Sequence, residues 1–431
     1  MPNVANNLVP ARGYGYIGGV TARRMMVLAI GVLIAGAGAI VRSGPESDQP
    51  VMEIKPAEGP PASSLGPRTA EPARPEKPKT LDLEKIQLVG DHYEAPLGDA
   101  SVALTLDPEL QQLAEQLLAK ARAPRGAIVA MTPDGKILAL AGRRSDDPKG
   151  VRDGKPDWRL ATEAWAPAAS VFKLVTASAL VQAGVDPDAP VCYHGGIRSV
   201  LESNLHDSKR DNDCKSLAFG VAHSNNAIVG KLAYQHLQPS ALAETAHDLF
   251  GELPASFAVP ARFGELDLPD THDLAFAQAA AGFSGVKLSV LGGALLAATF
   301  ANAGECPAPR LVAAAPDPGA HRVLPEAIAR AVGKMMVGTC RDGSAARSFG
   351  RGTVVAGKTG TLARTEPFYM EHSWFVGYAP ADHPQIVVSV LLGNPEDWQL
   401  RGQEAARALV DRALGHATRQ DRADRAAKSR R

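Results

Sequence analysis

At 431 residues, with 46 basic and 46 acidic side chains, the chain can bury a large core in one or two domains and has no net charge to draw it to nucleic acid. Its four cysteines and eleven histidines show no metal-ligand spacing.

No acidic residue occurs before Glu46, and Arg12, Arg23 and Arg24 precede an apolar run from Met25 to Val41. That run is at the short limit for a membrane span. Arginines on its N-terminal side predict residues 1–24 in the cytoplasm and everything after 41 outside it. Residues 25–41 are read as a retained anchor in preference to a cleaved signal. Prolines then recur from Pro45 to Pro78 among Glu and Lys, so 42–80 is expected to be an extended tether that cannot pack a core.

Residues 81–100 read as short strands, Leu83 to Val89 the clearer. Asp107-Pro108 starts an amphipathic helix, with Asp as cap, Pro at the first position and Leu110, Leu113, Leu117 and Leu118 on one face. Ala127 to Met131 and Ile137 to Leu140 flank Pro133-Asp134-Gly135 as a hairpin. Helical patterns fill the middle of the chain. Gly352 to Leu362, Trp374 to Tyr378 and Ile386 to Leu392 read as a closing antiparallel meander. Strands at both ends and helices between predict an α+β sandwich: one antiparallel sheet built from both ends, with an all-helical part inserted. The final charged stretch, 418–431, is expected to be a solvated tail.

Three short motifs stand in order: Ser170-Val-Phe-Lys173, Ser224-Asn225-Asn226 and Lys358-Thr359-Gly360. An acyl-transfer site needs such parts: a serine nucleophile, a lysine base one turn away, a polar relay and a cationic strand. Ser170 is expected in the first turn of a helix entered at Pro167, with Lys173 on the same face. Apolar Val171, Phe172 and Leu174 would desolvate Lys173 and favour its neutral amine. The Ser224 motif reads as a polar break between two helices, and His223 beside it as a structural histidine. Glycine on both sides of Lys358-Thr359 speaks for a strand that approaches a ligand closely. A second Ser-x-x-Lys, Ser284-Gly-Val-Lys287, follows the Ser224 motif and cannot open the series.

On these motifs the chain resembles the penicillin-binding, D,D-transpeptidase domain family of peptidoglycan synthases. The resemblance extends to Leu104–Glu115, Gly126–Ala141, Ala301-Asn-Ala-Gly304 and Trp374–Ala379, and spans 101–417. It departs where the family has Pro-Gly-Ser before the nucleophile, here Pro167-Ala-Ala-Ser170, and where Ser289-Val290 replaces a Thr-Pro pair. The resemblance implies that Ser170 attacks the penultimate D-Ala carbonyl of a stem peptide and Lys173 takes its proton. It implies that Ser224 relays a proton to the leaving D-Ala, Asn226 orients Lys173 and the substrate amide, and Lys358 supplies charge near Ser224. Thr359 and Thr361, with Gly360 between them, would hold the terminal carboxylate, and the N–H groups of Ser170 and Thr361 an oxyanion. It implies no cofactor and no metal. The expected partners are peptidoglycan stem peptides, β-lactams as covalent inhibitors, and a separate glycosyltransferase.

The same residues would serve a D,D-carboxypeptidase, with water replacing the acceptor amine. A β-lactamase would add a fast deacylating base, and a penicillin-binding sensor would acylate without turnover. Four cysteines allow three pairings; Cys192–Cys214 and Cys306–Cys340 are the expected pair in an oxidising compartment.

Overall fold

The computed structural model describes residues 80–428 apart from 146, 148–153, 197, 252, 254–256 and 367, and beyond 415 the backbone alone. The expectations for 1–24, 25–41 and, but for Thr80, 42–80 lie outside these residues. Among the described residues no helix is long and apolar enough to cross a membrane.

The centre is a six-stranded antiparallel sheet in the order Ala356–Arg364, Met370–Ala379, Ile386–Asn394, Arg125–Met131, Ile137–Arg144, Lys155–Pro156. The sheet thus joins both ends of the domain, with the helical part inserted between, as the strand patterns predict. The join is the pairing of Ile386–Asn394 with Arg125–Met131, in which Leu391 faces Ala127.

Strand alternation feeds two cores, one on each face. Val387 and Leu391 point with Ala127, Val129 and Trp374 into the larger core. Val388, Val390 and Leu392 point with Ile128 and Phe375 into the smaller one. The helix Val290–Ala301 covers the first face; its apolar side chains are almost all buried, and Ser289 caps it by accepting a hydrogen bond from the Gly292 N–H at 2.8 Å. The helices Pro108–Ala121 and Gly402–Lys428 cover the second. Asp107 caps Pro108–Ala121 by accepting from the Leu110 N–H at 2.9 Å, and the cap and proline act as their sequence positions predict. Burying one Leu, Ile or Phe of these cores contributes roughly 1.5–3 kcal/mol.

Two expectations need correction. Leu83 to Val89 is not one strand: Leu83–Lys85 is a 3-10 turn capped by Asp82, and the strand is only Gln87–Val89, pairing with His92–Leu97. The charged stretch expected as a tail is helical over 418–428, as the end of Gly402–Lys428, since after Gly415 it has neither glycine nor proline and is rich in Ala and Arg. Cys192 and Cys214 are bonded across the paired strands Pro190–Tyr193 and Asp213–Ser216. Cys306 and Cys340, however, are free and buried. They belong to different cores, Cys306 to the larger and Cys340 to the smaller, so no bridge can form without dismantling the packing between.

Candidate active site

The site lies where the helical part meets the edge strand Ala356–Arg364. Ser170 sits in a 3-10 turn, Ala169–Phe172, and Lys173 begins the helix Lys173–Gln182. Pro167 does not start that helix. It belongs to a two-residue strand, Ala166–Pro167, paired with Val286–Leu288, and its carbonyl accepts a hydrogen bond from the Trp374 indole at 2.9 Å. Ala169 then takes φ = 49° and turns the chain from strand to helix.

Lys173 is fully buried, and its Nζ lies 2.9 Å from Ser170 Oγ and 2.7 Å from Asn226 Oδ1; the Ala281 carbonyl is a third partner. Burial, aided by the nearby Lys358 charge, holds its pKa well below the usual lysine range. A neutral amine has two N–H groups and one lone pair. With the N–H groups spent on Asn226 and Ala281, the lone pair is left for the Ser170 hydroxyl, which then donates to it. The arrangement can therefore deprotonate Ser170.

Ser224 lies at φ = 57° in the break between the helices Leu217–Ala222 and Asn226–His236. Asn225 caps the second helix by accepting from the Ile228 N–H at 3.1 Å, which sets Asn226 as its first residue and aims it at Lys173. His223 is exposed and stacks on Phe219, ring centroids 4.0 Å apart.

Lys358 is also fully buried. Its Nζ donates to Ser224 Oγ at 3.0 Å and to the Thr359 carbonyl at 2.9 Å, which joins the second and third motifs. Desolvation lowers its pKa to about 7. Gly360 lets the strand press on the nucleophile turn: a Cβ there would meet Val171 Cγ2 at 3.3 Å and the Ala168 carbonyl at 3.4 Å. Thr359 is nearly buried and Thr361 exposed at the mouth. The structure thus brings Ser170, Lys173, Ser224, Asn226, Lys358, Thr359, Gly360 and Thr361 to one place. The second Ser-x-x-Lys does not share it: Lys287 is on the surface, paired with Glu265 at 2.8 Å.

Sequence reasoning missed two groups. The Ala281 carbonyl at Lys173 is backbone; its only trace is the small-residue run Ala279-Ala-Ala-Gly282 at the end of the helix Leu274–Ala280. The other is Ser344, whose Oγ lies 2.6 Å from Thr359 Oγ1. Among the described residues no cluster of His, Cys, Asp and Glu could hold a metal ion.

A family model described as penicillin binding protein transpeptidase domain matches residues 126–415. Peptidoglycan D,D-transpeptidase PbpA of Mycobacterium tuberculosis is 27% identical over 355 residues, covering 73% of this chain and 71% of the relative. Stage V sporulation protein D of Bacillus subtilis is 26% identical, over 76% of this chain and 55% of its own length. Among solved structures, the D,D-transpeptidase domain of a peptidoglycan glycosyltransferase from Eggerthella lenta superposes with a TM-score of 0.59 at 26% identity, over 73% of this chain and 83% of that one. The imipenem acyl-enzyme complex of penicillin-binding protein A from M. tuberculosis gives 0.58 at 25% identity, over 73% and 79%.

Proposed function

We propose, from the chain's membership of the penicillin binding protein transpeptidase family and its likeness to peptidoglycan D,D-transpeptidase PbpA, that it cross-links peptidoglycan stem peptides through an acyl-serine intermediate at Ser170. The observation that carries the reading is the buried Lys173, free of any carboxylate partner in the hydrogen bonds it makes, 2.9 Å from Ser170 Oγ.

In the first half-reaction Ser170 Oγ attacks the penultimate D-Ala carbonyl and its proton passes to Lys173 Nζ. N–H groups of Ser170 and Thr361 hold the oxyanion. The amide bond breaks, Ser224 hands a proton to the departing D-Ala nitrogen, and the ester remains on Ser170. Lys358 keeps Ser224 polarised, while Thr359 and Thr361 hold the terminal carboxylate. In the second half-reaction the amine of another stem peptide attacks the ester, loses its proton along the same route, and restores Ser170.

A carboxypeptidase differs only in water replacing that amine. The β-lactamase reading through a carboxylated lysine is disfavoured by the three polar partners already around the buried Lys173 Nζ. Residues 25–41 form the membrane anchor in this proposal and 42–80 the tether. The catalytic part then works outside the cytoplasmic membrane, and a separate glycosyltransferase polymerises the strands. The Cys192–Cys214 bond supports an oxidising compartment.

The test follows the intact mass of the detergent-solubilised full chain for hours after brief exposure to benzylpenicillin, beside Ser170→Ala. A stable adduct lost in the variant is expected. Drug turnover within seconds would favour a β-lactamase, and no adduct would sink the acyl-serine reading. Cross-linked dimers from stem peptides and an added amine separate the transpeptidase from the carboxypeptidase and the sensor. Membrane fractionation of cells carrying the full chain, with and without residues 25–41, tests the anchor.

A further inference from the structure

The turn after the helix Glu326–Arg341 is tied to the segments that carry the second and third motifs. Its backbone is set by the Gly343 N–H on the Gly338 carbonyl at 2.9 Å and the Ala345 N–H on the Thr339 carbonyl at 2.9 Å. Ser344 then donates its N–H to the Ala222 carbonyl at 3.0 Å, two residues before Ser224. Gly343 permits this contact: a Cβ there would stand 2.2 Å from the same carbonyl oxygen. From this pinned backbone the Ser344 side chain reaches the opposite wall, Oγ to Thr359 Oγ1 at 2.6 Å. Thr359 is nearly buried, whereas Ser344 is exposed.

Each hydroxyl in such a pair has one proton and two lone pairs. When Ser344 donates to Thr359, the Thr359 proton is freed for a third group, and the shared bond polarises it. The Thr359 carbonyl accepts from Lys358 Nζ, which fixes the backbone that carries this hydroxyl. We propose that Ser344 is a positioning residue for the carboxylate of the donor peptide: its hydroxyl turns the Thr359 O–H toward that carboxylate and holds it there. The inference rests on the acyl-serine reading above and adds a residue that none of the three motifs contains. The group recognised is a free carboxylate beside the scissile bond, in a stem peptide or in a penicillin.

The test compares acylation of the full chain by benzylpenicillin and by its methyl ester, in which that carboxylate is blocked. With the free acid, Ser344→Ala is expected to lower the second-order acylation rate about tenfold, the usual effect of a lost hydrogen bond to a charged group. With the ester, Ser344→Ala and wild type are expected to react alike. Ser344→Thr, which keeps the hydroxyl, is expected to restore the free-acid rate. An equal loss for acid and ester would mean that Ser344 only packs the site, and would overturn the inference, as would no loss for either. If Ser344→Ala has no cooperative unfolding transition, Ser344→Cys, similar in size and a far weaker donor, takes its place. A wild-type chain that forms no Ser170 adduct would fail the acyl-serine reading itself, a result distinct from any difference between variants.

Discussion

Two parts of the helical region each bury a lysine, and the two lysines behave oppositely. Lys173 is surrounded by a hydroxyl, an amide oxygen and a backbone carbonyl, with no carboxylate among these partners. Lys231, one turn beyond Asn226 on the helix Asn226–His236, is 1% exposed and sits 2.9 Å from Asp207, 2.8 Å from Asp211 and 2.8 Å from the Cys192 carbonyl. Burial pushes down the pKa of both. At Lys231 the two aspartates outweigh it and the pKa rises, whereas at Lys173 nothing does and it falls far. Burial alone therefore does not make a base. The withheld counter-charge does, and the helix Asn226–His236 serves both cases, giving Lys173 the neutral Asn226 and carrying Lys231 five residues further on.

The largest effect should come from removing the unpaired lysine. Lys173→Met is expected to cut acylation of Ser170 by about a thousandfold with only a modest loss of thermal stability, since no ion pair is broken and the cost is that of the Asn226 and Ala281 oxygens left without their donor, about 1–3 kcal/mol each. A variant that acylates at the wild-type rate would contradict the difference drawn above. Lys231→Met should do the reverse. It leaves Asp211, nine-tenths buried, without its cation, and should cost about 3–5 kcal/mol in chemical denaturation, the usual effect of breaking a buried pair.

The pH profiles sharpen the contrast. Asp211 is held at about 2, since His194, Lys231 and the Ser208 N–H outweigh its desolvation. A carboxylate lowered from 3.8 stabilises fully above pH 4, and that stability is lost as pH falls toward 2. Asp211→Asn should flatten this stretch of the stability curve. Lys358 is also lowered, but for a lysine the lowering disfavours the charged form. Because its folded pKa of about 7 lies below the unfolded 10.5, stability tied to it increases as pH rises between those values. Acylation should show an alkaline limb near pH 7, where Lys358 loses its charge, in the second-order rate constant that reports the free enzyme. Lys358→Arg, which stays charged, should remove that limb; a limb unchanged in the variant would assign it to another group.

The smallest effect is expected at Ala169. Its φ of 49° is one that an L side chain adopts at a cost of roughly 1–2 kcal/mol, and the related family has glycine directly before the nucleophile. Ala169→Gly should raise the thermal midpoint by a few degrees and leave acylation unchanged; a lower midpoint would mean that the methyl group contributes more by packing than the backbone loses by strain.

What could be read in advance follows the same division between side chains and surroundings. The three motifs, the Asp107-Pro108 cap, the hairpin at Pro133-Asp134-Gly135 and the closing meander all advertise themselves through local chemistry or period. The 3-10 turn at Ser170 does not, because the conformation is imposed by the pairing of Ala166–Pro167 with a strand more than a hundred residues away. Ala281 acts through a carbonyl that every residue possesses, and Ser344 is one serine among many until the turn before it is folded against Ala222. The cysteine spacing could not tell that Cys306 and Cys340 face different cores. Nothing near Arg419 announces a helix beyond composition, which competes there with high charge.

The order of strands in the central sheet also has a consequence for synthesis. The edge strand that supplies Lys358 is attached to the N-terminal hairpin only through Met370–Ala379 and then Ile386–Asn394, the last strand made. Contacts such as Trp374 to Pro167 close loops of about two hundred residues, which is slow and costs much chain entropy. A nascent chain that has passed Lys358 but not Asn394 thus carries every motif residue and still lacks the strand that links them. Penicillin reactivity should switch on only after that strand has left the ribosome and its exit path, so that labelling of arrested chains of increasing length would time the last step of folding.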